Sequence, residues 1–121
     1  MARILIVDDS PTEMHVLKTM LEKNGYQTLS ANNAEEGIAK SKSEKPDLIL
    51  MDVVMPGTNG FQATRQITKD PETASIPVII VTTKDQETDK VWGLRQGAKD
   101  YLTKPVDESS LIVKVKAAMG G

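Results

Sequence analysis

Hydrophobic residues in this chain arrive in short unbroken runs, and each run closes on a polar residue. Ile4-Leu5-Ile6-Val7 ends at Asp8-Asp9, Leu48-Ile49-Leu50-Met51 at Asp52, and Val78-Ile79-Ile80-Val81 at Thr82-Thr83, while a shorter run through Tyr101-Leu102 ends at Lys104. Runs of this length, separated by segments with helical spacing, predict buried parallel strands, because a sheet covered on both faces has no need of alternation. Strands are predicted at 4–7, 26–31 (the weakest), 47–54, 77–83 and 99–104.

The intervening segments carry helix signals. Ser10-Pro11-Thr12-Glu13 predicts a capping box with proline at the first helical position; Met14, Leu17, Met20 and Leu21 follow at helical spacing, and Gly25 after Asn24 supplies a stop. Asn33, with Glu36 three residues on, predicts the start of a second helix that ends before Pro46. A loop at 55–60 leads to a helix at 61–69 stopped by Asp70-Pro71. A fourth helix is predicted at 85–96, closed by Gly97. Asp107 caps a last helix, with Leu111, Ile112, Val115 and Ala118 inward, that ends at Gly120-Gly121. The whole reads as one α/β domain over residues 1–121, five strands alternating with five helices.

Residues at the carboxyl ends of parallel strands emerge on one edge of the sheet, where open α/β folds bind ligands. Asp8, Asp9, Asp52, Thr82 and Lys104 are therefore expected to meet. Two carboxylates about 4 Å apart repel by about 4 kcal/mol at an effective dielectric near 20, so the three need a cation or a proton. Oxygen ligands without His or Cys suit a hard ion such as Mg²⁺. Lys104 adds a fixed positive charge and Thr82 a hydroxyl donor, which equips an acidic site to hold an anion beside a metal. That combination describes a phosphoryl site. One carboxylate must be the nucleophile, since the chain has no cysteine and its one histidine, His15, lies in the first helix; an aspartyl phosphate is the natural product.

Composition narrows the picture by exclusion. A formal net charge of -2 offers no basic footprint for nucleic acid. Without cysteine there is no disulfide, thiolate metal site or thiol chemistry. Apolar runs of four residues are too short for a membrane span or a signal peptide, so a soluble, cytoplasmic protein is expected.

Asp8-Asp9, then Asp52-Val53-Val54-Met55-Pro56-Gly57 with Gly60, then Thr82, then 97–105 ending in Lys104-Pro105, resemble the receiver domains of two-component response regulators. The likeness spans the chain and fixes five positions in order across five units. It is similar to stand-alone regulators of the chemotaxis kind and, more loosely, to those of type IV pilus twitching motility. The resemblance implies a flavodoxin-like sheet of order 2-1-3-4-5, a monomer, and no enzymatic activity beyond Mg²⁺-dependent self-phosphorylation and autodephosphorylation. It implies that Asp52 accepts a phosphoryl group from a histidine kinase or histidine phosphotransfer domain. Asp9, Asp52 and the main-chain carbonyl of Val54 then hold Mg²⁺, with Asp8 acting mainly through water. Lys104 pairs with the carboxylate or phosphoryl oxygen, and the Lys104-Pro105 bond is expected cis. Thr82 moves toward the phosphoryl group and Tyr101 turns inward, repacking the face of helix 4, strand 5 and helix 5 where an effector protein binds. Output through that face and service as a phosphate sink both stay open. Val54 and Lys84 occupy positions that tune access of water to the acyl phosphate in this family, and Thr83 replaces the smaller residue often found after the switch threonine, its bulk expected to narrow access to Asp52.

Other features have plainer readings. Asp47 and Asp100 read as turn or strand-edge residues, His15 as solvated, and the six methionines as core filler. Gly57 and Gly60 read as a loop device supplying unusual dihedrals. Trp92 is either core or an exposed partner contact. Three other functions compete. An Mg²⁺-dependent aspartyl phosphohydrolase wants a second aspartate two residues after the first, where this chain has Val54. An FMN binder wants a Ser/Thr-rich loop where it has Asp8-Asp9-Ser10-Pro11. A partner-binding receiver working without phosphorylation usually loses part of the acidic cluster, which is complete here.

Overall fold

Long aliphatic and β-branched side chains form strands wherever both faces of a sheet are covered. The computed structural model, which describes residues 2–120, shows this for Arg3–Val7 (β1), Gln27–Ala31 (β2), Leu48–Met51 (β3), Val78–Thr82 (β4) and Asp100–Thr103 (β5). Helices Pro11–Lys23 (α1), Ala34–Glu44 (α2), Gly60–Lys69 (α3), Glu87–Arg95 (α4) and Glu108–Ala118 (α5) alternate with them. All strand pairs are parallel, in the order β2-β1-β3-β4-β5. This is the expected flavodoxin-like sheet, with β3 at its centre between β1 and β4.

Alternation along β1 sends its residues into two layers. Ile4 and Ile6 join Leu17 and Leu21 of α1, Leu50, Ile79, and Leu111 and Val115 of α5. Leu5 and Val7 face the other way, onto Ala34, Ile49, Met51, and Ala63 and Ile67 of α3. A third, smaller cluster of Val53, Phe61, Ile80, Ala98 and Tyr101 lies toward α4. The edge strands are β2 and β5. Lys40 Nζ donates to the Ser30 carbonyl of β2 at 2.5 Å, and Lys114 Nζ reaches both carboxylate oxygens of Asp100 on β5 at 3.0 Å.

Boundaries moved where side chains intervene. β3 stops at Met51 and not at Val54, because the Val53 N–H donates to the Asp52 side chain at 2.8 Å and leaves the ladder. β4 and β5 each lose a residue at both ends of the expected span. α4 begins at Glu87, two residues late, after the Gln86 N–H donates to Asp89 Oδ2 at 3.3 Å. The capping box of α1 is half formed. Ser10 Oγ accepts the Glu13 N–H at 3.3 Å, but the Ser10 N–H is already taken by Asp8 Oδ1 at 2.9 Å, which releases the Glu13 carboxylate. Asn33 caps α2 as expected, and Asn59 with Gln62 forms a full capping box on α3. Gly120 follows α5, while Gly121 of the expected stop lies outside the described residues. Trp92 is exposed. No helix among the described residues is long and apolar enough to cross a membrane.

Candidate functional site

β1 and β3 are neighbours, so their carboxyl ends deliver Asp8, Asp9 and Asp52 side by side. One carboxylate oxygen from each lies within 4.8 Å of the others. Asp8 and Asp52 are buried at 1% and 6% exposure, whereas Asp9 faces solvent. From β5, next but one, comes Lys104, whose ammonium donates to Asp8 Oδ2 at 2.8 Å and stands 3.7 Å from Asp52 Oδ2. Its peptide bond to Pro105 is cis, as expected.

Burial decides the electrostatics at Asp52. Its carboxyl is raised above the ordinary range by desolvation first; Lys104 opposes this, Asp8 adds to it, and the Val53 N–H opposes it. Burial also works against the charge on Lys104, but the hydrogen bond to Asp8 and the charges of Asp52, Asp8 and Glu13 outweigh it and hold the ammonium above its usual value. A clustered, partly desolvated set of carboxylate oxygens beside one fixed ammonium is a donor set suited to a hard divalent cation and an anionic ligand together.

Thr82 ends β4 fully buried, and its hydroxyl lies 3.5 Å from the Lys84 N–H, at the limit of a hydrogen bond. Tyr101 is already inward, 8% exposed, with its hydroxyl donating to the Lys84 carbonyl at 2.9 Å, which corrects the expectation that the ring turns inward only when Thr82 moves. Burial pushes its phenol up to about 12, with Asp89, Asp52 and Asp85 adding to it. The Val54 side chain is exposed on the loop after Asp52. Among the plainer residues, His15 is solvated and the Asp47 carboxylate accepts the Arg3 N–H at 2.7 Å; of the methionines, Met51 and Met55 are buried, Met14, Met20 and Met119 are only partly buried against the core, and Met1 lies outside the described residues.

Three further residues shape the site in ways that differ from their sequence reading. Glu13, freed from its capping role, brings Oε2 to 3.9 Å of Lys104 Nζ. Gly57 has φ of +78°, as a loop glycine should, but Gly60 serves a different end. A Cβ on Gly60 would overlap the Asp52 carbonyl oxygen and lie 2.7 Å from its carbon, so glycine lets the start of α3 rest on the backbone of the acidic residue. Lys84 contributes its main chain to both Thr82 and Tyr101.

Comparison with known proteins agrees with this geometry. The chain is 69% identical to protein PilH of Pseudomonas aeruginosa over 121 residues, the full length of both. A putative response regulator from Chloroflexus aurantiacus superposes with a TM-score of 0.95 at 30% identity, covering 99% of this chain and 98% of that one. The receiver domain of a sensor histidine kinase from Pseudomonas aeruginosa, solved with a magnesium ion coordinated in its active-site cleft, gives 0.91 at 28% identity over 99% and 98% of the two chains. Residues 4–116 match the family described as response regulator receiver domain. A parallel sheet of order 2-1-3-4-5 that gathers its carboxylates and its lysine at one edge thus has a lineage as well as a geometry: the chain belongs to the response regulator receiver domain family.

Proposed function

We propose that Asp52 is the phosphoacceptor of a two-component phosphorelay and that its modification switches a protein-binding face. The observation that carries this reading is the trio of Asp8, Asp9 and Asp52 oxygens within 4.8 Å beside the Lys104 ammonium. Asp52 Oδ attacks phosphorus, the bond from phosphorus to the donor histidine nitrogen breaks, and the histidine leaves neutral after taking a proton. Asp9, Asp52 and the Val54 carbonyl would hold Mg²⁺, and Asp8 would act through water. When bound, the ion neutralises charge on the carboxylates and phosphoryl oxygens. Lys104 supplies a fixed charge to the transferred group, and its tie to Asp8 keeps it in place.

Thr82 and Tyr101 carry the output. A phosphoryl group adds about -1.5 to -2 charge and strong acceptor oxygens, toward which the Thr82 hydroxyl turns, and the change passes to Tyr101 through Lys84 and to the face of α4, β5 and α5. The likeness to PilH supports an output in type IV pilus motility, with a histidine kinase or phosphotransfer domain as donor and an effector protein at that face; draining phosphate is the other form the output can take.

Incubation with a small phosphodonor and Mg²⁺, followed by mass spectrometry, tests the assignment. Parent protein gains one phosphoryl group on Asp52, and Asp52→Asn gains none. Modification undiminished in Asp52→Asn sinks the assignment, and a parent that never accepts phosphate makes it a receiver that works by binding alone.

A further inference from the structure

α4 meets the sheet through a residue that has no side chain. Gly93 is its buried residue, while Val91, Trp92 and Leu94 around it are 43%, 51% and 49% exposed. Glycine within a helix is costly in backbone entropy, and alanine is the better helix former. Space explains its presence. A Cβ on Gly93 would lie 2.7 Å from Ile80 Cδ1 and 3.1 and 3.2 Å from Tyr101 Cδ2 and Cε2.

These two neighbours differ in what they can concede. Ile80 Cδ1 is the tip of a flexible side chain and can rotate away. The Tyr101 ring is clustered with Val53, Phe61, Ile80 and Ala98, and its hydroxyl is tied to the Lys84 carbonyl at 2.9 Å. Packed interiors do not compress to admit a methyl group. With a side chain at 93, either the ring gives by a few tenths of an ångström or α4 lifts from the sheet, and both loosen the inward seat.

We infer that Gly93 is a positioning residue, the socket that holds the Tyr101 ring inward and thereby sets how α4 lies on β4 and β5. Gly93 touches neither Asp52 nor the other carboxylates, so it governs the lie of the outward residues Val91, Trp92 and Leu94 without entering the phosphoryl chemistry. The packing stands on geometry alone; its signalling consequence rests on the phosphorylation reading above.

Fluorine NMR of the full chain labelled with 3-fluorotyrosine tests the socket. Of the two tyrosines, Tyr101 is assigned as the resonance missing in Tyr101→Phe, and its shift between light and heavy water reports exposure. In the parent that shift should be close to zero. In Gly93→Ala it should rise clearly above the parent value, and it should stay raised in Gly93→Ala/Ile80→Val, where Cδ1 is gone. A Tyr101 resonance that remains protected in Gly93→Ala, or regains protection in the double variant, overturns the inference, because the methyl would then be constrained by Ile80 and not by the ring. If Gly93→Ala fails to fold, the same change in a Tyr101→Ala background decides. There the methyl has room, so the pair should unfold at a denaturant midpoint no lower than Tyr101→Ala alone, and a lower midpoint refutes the socket. Phosphodonor treatment separates the two readings. Retained phosphorylation of Asp52 in Gly93→Ala, with the accompanying Trp92 fluorescence change lost, supports both. A parent that takes no phosphate condemns the phosphorylation reading alone, with the NMR result still deciding the socket.

Discussion

Asp52 sits in a balance of burial against charge, and its carboxyl lies above the ordinary range because desolvation and Asp8 together exceed the pull of Lys104 and the Val53 N–H. A carboxyl raised in the fold stabilises it while protonated, and that contribution is lost as pH rises through the raised value. Asp52→Asn, held in a chelator, should therefore melt above the parent at about pH 7, with the margin closing toward about pH 4. Calorimetry at the two values checks this; a constant margin would show that ionising Asp52 costs the fold nothing. Lys104 presents the converse case, since its side chain is 8% exposed and its partner Asp8 1%. Lys104→Met keeps the stem but leaves buried carboxylates uncompensated, for an expected loss of about 3 kcal/mol. A loss below about 1 kcal/mol by denaturant titration would class the pair with solvated surface bridges. The charged residues themselves were legible in the sequence because each follows an apolar run. Glu13 was not, because its approach to Lys104 depends on Asp8 taking the Ser10 N–H first.

Elements were legible where apolar residues mark the buried face and misjudged where a side chain or a glycine does that work. β3 was read too long because Val53 and Val54 resume the apolar run after Asp52, while the Asp52 side chain has already drawn the chain off the ladder. α4 concealed its inner face, since Val91, Trp92 and Leu94 point outward and the buried residue is Gly93. Gly60 shows what such contacts weigh. Losing the Ser10 cap through Ser10→Ala should cost about 1 kcal/mol. Gly60→Ala sets a methyl against the Asp52 carbonyl, which as backbone cannot rotate aside, and overpacking of that kind costs about 1–3 kcal/mol or more. Denaturant midpoints should rank Gly60→Ala below Ser10→Ala. The reverse order would mean that α3 slides freely on its strand.

For the molecule as a whole, parallel topology made the site readable before any distance was known, because every strand must deliver its last residue to the same edge. What topology could not convey is which way Tyr101 faces, since that depends on room left by a glycine on another element. If the acidic trio holds Mg²⁺ as proposed, the ion stabilises the entire fold: at a concentration about tenfold above its dissociation constant the gain is about 1.4 kcal/mol. Thermal melts with and without the ion should show the rise, and Asp9→Asn should diminish it. An unchanged melting temperature at saturating magnesium would remove the metal from the account. The same sheet, being open, has two flanks whose peptide groups lack a neighbouring strand, the usual template for aggregation. Here β2 carries the Lys40 ammonium on the Ser30 carbonyl, and β5 is four residues long, starting at the Asp100 and Lys114 pair and followed after Lys104 by a proline with no N–H to offer. Charge on one flank and brevity on the other leave an incoming strand little to extend, which equips this parallel sheet to stay dispersed in a crowded solution.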